Sequence, residues 1–403
     1  MAGPHPTGPL TGLRVLEMGQ LVAGPFAGAL LAYFGADVIK IEPPEGDPLR
    51  GWRTLDSDGK TSLWWRTIAR NKRSIAVDLR REDGRAIARA LALRADVLLE
   101  NFRPGTMEAW GLGPDELARE RPSLVYARVS GFGQTGPERD RPGFASVCEA
   151  VAGLRYLTGE PGRTPVRSNL SLGDTLGGLH ALIGLLLALY HRERTGEGQV
   201  VDIALTESVL NVLEGTLVEY DRAGVVREPS GPTITGVVPS NTYVCLDGLV
   251  VLGANTDKLF ATLMRVVERP DMAADPALAQ NPGRVARARD IDEAIASWTS
   301  RRTISQVVAE LGKAGVPAGA VRDAKAISED PQFLARDLFE TVDDSASGPP
   351  RRLPAMWPRL ARTPGKTLFE GPALGEHTRE ILAGELGWSS ERIDELLASR
   401  VIR

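Results

Sequence analysis

Cysteine is close to absent. The 403-residue chain has two, Cys148 and Cys245, far apart and outside any His-rich or Cys-rich pattern. A disulfide framework and a zinc site of the usual spacings are thereby excluded, and both thiols are expected as small buried hydrophobes. An excess of one charge is also missing: 48 Lys+Arg stand against 52 Asp+Glu, a net charge of -4. Nothing in that balance attracts nucleic acid or an anionic membrane, so neither is expected as a partner. No uninterrupted apolar run reaches the roughly 18 to 20 residues that cross a bilayer, and even Leu179 to Tyr190 stops short. The opening MAGPHPTGPLTGL lacks a basic stretch followed by an apolar one. A cytoplasmic location is expected. Internal repeats, coiled-coil heptads, a G-x-S-x-G elbow and a Walker loop are all lacking.

What is present is a large apolar fraction, 42%, enough to fill two domains or one domain carrying an insertion. The first 130 residues alternate between strand-like and helix-like patterns. LRVLEM (13 to 18) leads through GQLVAGP into FAGALLAYFGA, and DVIKIE (37 to 42) follows. SIAVDL (74 to 79), a helical stretch at 81 to 95, DVLLENF (96 to 102) and SLVYARVS (123 to 130) continue the series. Such alternation predicts an α/β fold with a mostly parallel, Rossmann-like sheet covered by helices. QVVDIAL and the helical TESVLNVLEGTLVEYDRAG end this part near Gly224.

Residues 225 to 241 are rich in Pro, Gly and Thr without periodicity and read as a mobile loop at a domain boundary. After it, Asp247-Gly248 between two apolar runs predicts a hairpin, and helices are expected at 255–268, 285–299 and 303–314. The expected organisation is therefore 1–224, a smaller α+β domain over 225–330, and 331–403. The last part holds an extended connector, SGPPRRLPAMWPRLARTPG, and helices at 375–386 and 389–399.

Two places invite chemistry. Gly19, Gly24 and Gly28 line the first strand-to-helix turn, with Glu42 ending the next strand, as in a dinucleotide site. The spacing G-x4-G-x3-G departs from G-x-G-x-x-G, so a plain tight turn competes with a ligand loop. The second place is NLSLGD, where Asp174 enters an apolar helix. Asp is a good N-cap, and its charge suits the positive helix end. Gly173, Gly177 and Gly178 surround it and weaken the helix by roughly 1 kcal/mol each relative to Ala, as expected if something approaches that backbone closely. His180 and His191 have no spaced metal partner and read as packing or helix-end residues. GQTGPERDRPG (133 to 143) fits a ligand loop or a surface turn equally.

Taken in order, VLEMGQLVAGPFAGALLAYFGADVIKIEPPEGD, NKRSIAVDL, LLENFRPG, GLGPDEL, SGFGQTGP, SLGD and HRERTGEGQVVDIALTESVL resemble the class III CoA-transferase (CaiB/BaiF) family, from about residue 10 to the C-terminus. The resemblance implies a large domain built from both chain ends, a smaller inserted domain, and an interlocked homodimer. It implies that Asp174 is the nucleophile. CoA-binding positions map onto Gln20, Leu21, Val22, Ala23, Val77, Arg80, Asn101, Phe102 and Arg103, with the stretch from Pro142 through Phe144 to Ala145. A CoA thioester is then the substrate, with no tightly bound cofactor or metal. NKRSIAVDL, SGFGQTGP and PVR (165 to 167) look most like the branch moving CoA from succinyl-CoA to acids such as hydroxymethylglutarate, mesaconate, malate or citramalate. In that setting Arg167 is a candidate for the distal carboxylate of a dicarboxylic acid.

The chain departs from its apparent relatives in four places. Pro43 and Ala109 stand where formyl-CoA transferases carry Arg, which leaves Arg80 and Arg103 to neutralise the CoA phosphates. Ala145 stands where many members have an acid. The loop 229–237, the candidate lid, lacks a polyglycine run. The rival α-methylacyl-CoA racemase reading needs a His at the place of Phe144, the NAD-dependent dehydrogenase reading needs the missing glycine fingerprint, and a CoA-binding scaffold needs Asp174 to be only a cap.

Overall fold

The computed structural model describes residues 8–343 and 350–403. Residues 1–7, and residues 347–349 that open the expected connector, lie outside the described residues. Six strands form one parallel sheet: β1 (Arg14–Glu17), β2 (Asp37–Glu42), β3 (Lys72–Ala76), β4 (Val97–Glu100), β5 (Val125–Ser130) and β6 (Val200–Ala204). Their order is β3-β2-β1-β4-β5-β6, so the α/β class and parallel sheet expected from the alternation are both present. The order reverses between β1 and β4, and in such sheets the crevice at the carboxyl ends of the switching strands is where ligands bind.

Successive residues of each strand point to opposite faces. Leu16, Ile39, Ile75, Leu98 and Tyr126 face a core shared with Ile87 and Leu91 of the helix Glu82–Ala92 and with Ile381, Leu382, Val401 and Ile402 near the C-terminus. Val15, Val38, Val97, Val125 and Ala127 face the other core, with Ala27 and Leu31 of the helix Ala23–Tyr33 and Ala181 and Leu185 of the long helix Leu172–Thr195. Both faces are thus buried, which is why the strands read as nearly continuous apolar runs.

That long helix has 24 residues, and a window of it has mean hydropathy 1.6 with 39% of its residues buried. By length and composition alone it could cross a membrane, a test that core helices of soluble proteins also meet. The reading from Leu179 to Tyr190 was too short because the glycines ahead of it are helical.

Contacts divide the chain into two units. One comprises Met1–Leu154, Ser168–Glu214 and Asp337–Arg403; the other comprises Arg155–Arg167 and Gly215–Arg336. The single helix expected over 206–224 is two, Leu205–Leu210 and Thr216–Ala223, separated at Glu214, whose φ is 54°. The smaller unit has an antiparallel sheet, β7 (Ser240–Cys245), β8 (Gly248–Gly253) and β9 (Ala318–Ala320). It is covered by helices that include Asp257–Val266, Ala288–Thr299 and Ile304–Lys313 around a buried Trp298. The expected hairpin is there with its turn one residue earlier: Cys245 pairs Gly248, so Leu246 and Asp247 make the turn. Gly248 has the positive φ, 149°, and Asp247 instead accepts the Ile304 N–H at 2.7 Å. In the larger unit part of the connector is a strand, Arg351–Pro354, paired with Phe339–Val342. Helices Thr378–Gly384 and Ser390–Ala398 close the chain.

Candidate active site

The loops that follow β1 and β4 meet at the switch point. The Gln20 N–H donates to Asn101 Oδ1 at 2.7 Å, and Asn101 Nδ2 donates back to the Gln20 carbonyl at 2.8 Å. A Cβ on Gly19 would lie 2.8 Å from that Asn101 Oδ1, so the glycine is required by this amide clamp. Leu21 has φ 63°, a strained conformation for a leucine. Its N–H donates to both carboxylate oxygens of Asp47, at 3.1 and 3.2 Å. Val22 and Ala23 are buried where the first helix begins.

Beneath the turn lies a buried set of charges. Lys40 Nζ meets Glu17 at 3.0 Å and Asp47 at 3.1 Å, and donates to the Gly19 carbonyl at 2.6 Å. Lys72 Nζ meets the other Glu17 oxygen at 2.7 Å and donates to the Pro25 carbonyl at 2.7 Å. The two ammonium groups therefore grip the turn at both ends. Burial alone would raise the Glu17 carboxyl, but Lys72 and Lys40 hold it below the usual range. Burial, opposed by Glu17 and reinforced by Lys40, pushes Lys72 down to about 8.

At the same strand ends, a cleft of about 140 Å³ is lined by Gln20, Pro43, Val77, Arg80, Phe102 and Trp110, among others. Four expected CoA residues, Gln20, Val77, Arg80 and Phe102, are thus brought together, with Asn101 clamped beside them. Phe102 packs edge-on against Trp110 at 5.1 Å. The Arg80 guanidinium meets Asp78 at 2.7 Å and Glu45 at 3.1 Å. Arg103 is exposed and has no ion pair among the described residues. Glu100, at the end of β4, accepts the Phe102 N–H at 2.7 Å and pairs with Arg128 at 3.0 Å. Burial pushes its carboxyl up to about 7.

Asp174 is not the cap. The helix begins at Leu172 with Ser171 in the capping position, so Asp174 is the acid of the first turn, half-buried, where the helix dipole favours its charge. The glycines around it are explained by the protein itself. A Cβ on Gly177 would lie 2.4 Å from Leu205 Cδ2, and one on Gly178 would lie 2.7 Å from the Ala23 carbonyl oxygen. Gly178 is four residues on from Asp174 and therefore on the same helix face. About 6 Å along the axis, slightly more than one helical turn, separates the Asp174 position from the residue that touches the first turn.

Cys148, on the helix Ala145–Val151, has its thiol pushed up to about 11, first by burial and then by the carboxylates of Asp174 and Glu149. Glu149 Oε1 accepts the Gly173 N–H at 3.1 Å. His180 is structural: its Nδ1–H donates to the Leu176 carbonyl at 2.9 Å and its Nε2 accepts from Asn211 at 2.8 Å.

Phe144 precedes the helix Ala145–Val151 and is 70% exposed. Arg167 is exposed and belongs to the smaller unit. So does the 229–237 loop, where the Gly231 N–H donates to the Gly159 carbonyl at 2.9 Å and Asn281 Nδ2 donates to the Gly236 carbonyl at 2.7 Å. Among the described residues no group of three or more His, Cys, Asp or Glu is placed to hold a metal. The residues sequence reasoning missed are Glu17, Lys40, Asp47, Lys72 and Glu149. The available signal was charge inside apolar strand patterns, VLEM and VIKIE.

The family model of CoA-transferase family III matches residues 10–378. The succinyl-CoA–D-citramalate CoA-transferase of Chloroflexus aurantiacus is 45% identical over 404 residues, covering 100% of both chains. The succinyl-CoA–L-malate CoA-transferase beta subunit of the same organism is 40% identical over 406 residues, again covering 100% of both. A crystal structure of a CAIB/BAIF family protein from Brucella suis has TM-score 0.83 at 34% identity, covering 94% of this chain and 99% of its own. Sequence and fold agree along nearly the whole length, and the chain belongs to CoA-transferase family III.

Proposed function

We propose that this enzyme moves CoA from succinyl-CoA to a short dicarboxylic acid, with Asp174 as the nucleophile. The observation that carries the reading is the placing of Asp174 in the first turn of the long helix, one turn from a glycine packed on the loop at the sheet's switch point. The full-length relatives named for citramalate and malate support the substrate class.

An Asp174 oxygen attacks the thioester carbonyl, the C–S bond breaks, and CoA thiolate leaves a mixed anhydride. The thiolate then attacks the aspartyl carbonyl and releases succinate, forming an aspartyl-CoA thioester. The acceptor carboxylate attacks that thioester and frees the thiolate again. Attack of the thiolate on the acceptor's carbonyl yields the new acyl-CoA and restores Asp174. Each addition creates an oxyanion, which N–H groups at a helix start can stabilise by a few kcal/mol per donor.

The cleft beside Gln20–Ala23 and Asn101–Phe102 is assigned to CoA, with Arg103 available for its phosphates. Phe144 supports transfer over racemisation, because a phenyl ring cannot exchange a proton. A second copy of the chain is assigned to the exposed apolar residues of the long helix, Ile183, Leu187 and Tyr190, and of Thr216–Ala223, Leu217 and Val218. A cytoplasmic location goes with this reading.

The test is hydroxylamine trapping. Incubation with succinyl-CoA and then hydroxylamine should inactivate the enzyme with a hydroxamate on the Asp174 peptide, and Asp174→Asn should lower transfer to D-citramalate or L-malate by roughly a thousandfold or more. An unmodified Asp174 peptide, or an active Asp174→Asn enzyme, overturns it.

A further inference from the structure

The start of the long helix carries a carboxylate that the reaction above does not use. Glu149 is 3% exposed, and its Oε1 accepts the Gly173 N–H at 3.1 Å. The first four N–H groups of any helix lack an intrahelical acceptor, and Ser171 offers no side-chain bond here. The acceptor for one of them comes instead from a different helix, Ala145–Val151. The two helices are also in close backbone contact. A Cβ on Gly173 would sit 3.1 Å from the Ala145 carbonyl oxygen and 3.3 Å from its Cα. A buried carboxylate costs several kcal/mol in lost hydration, and a helix N-terminus is a place where that loss is offset.

Gly173 is the residue immediately before Asp174. It packs against the Ala145 backbone, and its N–H, at the open end of the helix, is held by the Glu149 carboxylate. Resting on the assignment of Asp174 as nucleophile, we propose that Glu149 is a positioning residue, fixing the Gly173 peptide so that the Asp174 carboxylate meets the thioester carbonyl in the same place at each of its successive attacks. Asp174 loses its charge whenever it is acylated, while the bond from the Gly173 N–H to Glu149 involves no reacting atom and can hold the helix start through the cycle. Misplacing a reacting group by about 1 Å costs up to about a hundredfold in rate. The CoA cleft lies at the β1–β4 switch and does not include Glu149.

The experiment compares Glu149→Ala, Glu149→Asp and Glu149→Gln in the full-length enzyme, with rates normalised to sites trapped as hydroxamate on the Asp174 peptide. Glu149→Ala removes the acceptor and Glu149→Asp withdraws it by one methylene. Both should lower kcat roughly tenfold to a hundredfold with KM for succinyl-CoA changed less than about threefold. Glu149→Gln retains an acceptor oxygen and should restore kcat to within about threefold of the parent. If Glu149→Ala does not fold, Glu149→Asp against Glu149→Gln decides. Equal kcat in Asp and Gln variants, or a loss confined to KM or to thermal stability, overturns the proposal. Failure of the parent enzyme itself to form the Asp174 hydroxamate would overturn the nucleophile assignment, and this role with it.

Discussion

Glu17→Gln tests whether the buried charges beneath the first turn are a single unit. Glu17 and Asp47 face Lys40 and Lys72, two charges of each sign, and Glu17 alone meets both ammonium groups, at 3.0 and 2.7 Å. The Glu17, Lys40 and Lys72 side chains are at most 1% exposed. In the variant Lys40 keeps Asp47, but Lys72 keeps only the Pro25 carbonyl. Removing one partner of a buried pair costs roughly 3–5 kcal/mol, because the other charge remains desolvated.

Lys72 has a partial escape by losing its proton, since burial already holds it at about 8 against 10.5 in the unfolded chain. A lysine whose folded pKa is lowered destabilises the fold below that pKa and ceases to do so as pH rises toward 10.5. The loss in Glu17→Gln should therefore be larger at pH 6 than at pH 9. Urea unfolding read by tryptophan fluorescence is suitable, since all the tryptophans except Trp298 lie in the larger unit. Glu17→Gln with Lys72→Met removes the stranded charge and should recover most of the stability. KM for succinyl-CoA should rise in the single variant, because Lys40 and Lys72 hold the carbonyls of Gly19 and Pro25 at either end of the turn. A single-variant cost below about 1 kcal/mol, or a double variant as unstable as the two singles added, refutes the reasoning.

Gly178→Ala places a methyl 2.7 Å from the Ala23 carbonyl oxygen, an atom that moves only with its helix. Overpacking of about 1–3 kcal/mol, set against about 1 kcal/mol regained in helix propensity, should leave it less stable, whereas Gly312→Ala, with nothing within 4 Å, should gain stability. Equal thermal-unfolding midpoints for the two variants would contradict this. Glu100 has its carboxyl raised from 4.5 to about 7 by burial, so the folded state holds that proton more tightly. Its contribution, about 3 kcal/mol, is present below pH 4.5 and is lost as pH rises through 7. Glu100→Gln should flatten the fall in urea stability over that window, and an unchanged slope would rule out the assignment.

The sheet was legible because parallel strands buried on both faces leave local signatures: DVIKIE is a strand over the residues expected, Asp37–Glu42. The hairpin was legible as a hairpin, yet its turn slid by one residue because Asp247 is used by the Ile304 N–H, a bond to a residue far along the chain. The same kind of non-local competition hid the helix start. Asp174 has every local mark of a cap, but Glu149, on another helix, holds the N–H of Gly173, 24 residues further along the chain, and the helix begins two residues ahead of Asp174.

The glycines near Asp174 show the limit most clearly. From the chain alone, Gly177 and Gly178 signal that something comes close, and a substrate fits that signal as well as a neighbour does. In the fold it is Leu205 and Ala23 that come close. Charged residues in strands mislead in the opposite sense. Glu17, Lys40 and Lys72 look like breaks in an apolar pattern, yet Glu17 and Lys40 are paired in register in the carboxyl halves of their strands, and Lys72, the first residue of its strand, reaches the same Glu17 carboxylate, beneath a loop held in a strained shape such as Leu21 at φ 63°. A fully apolar sheet would bury those positions more cheaply but would offer no partner to the Gly19 and Pro25 carbonyls. Their placement follows from what the turn must do, and a reader of sequence meets it as charges whose partners lie 23 and 55 residues away.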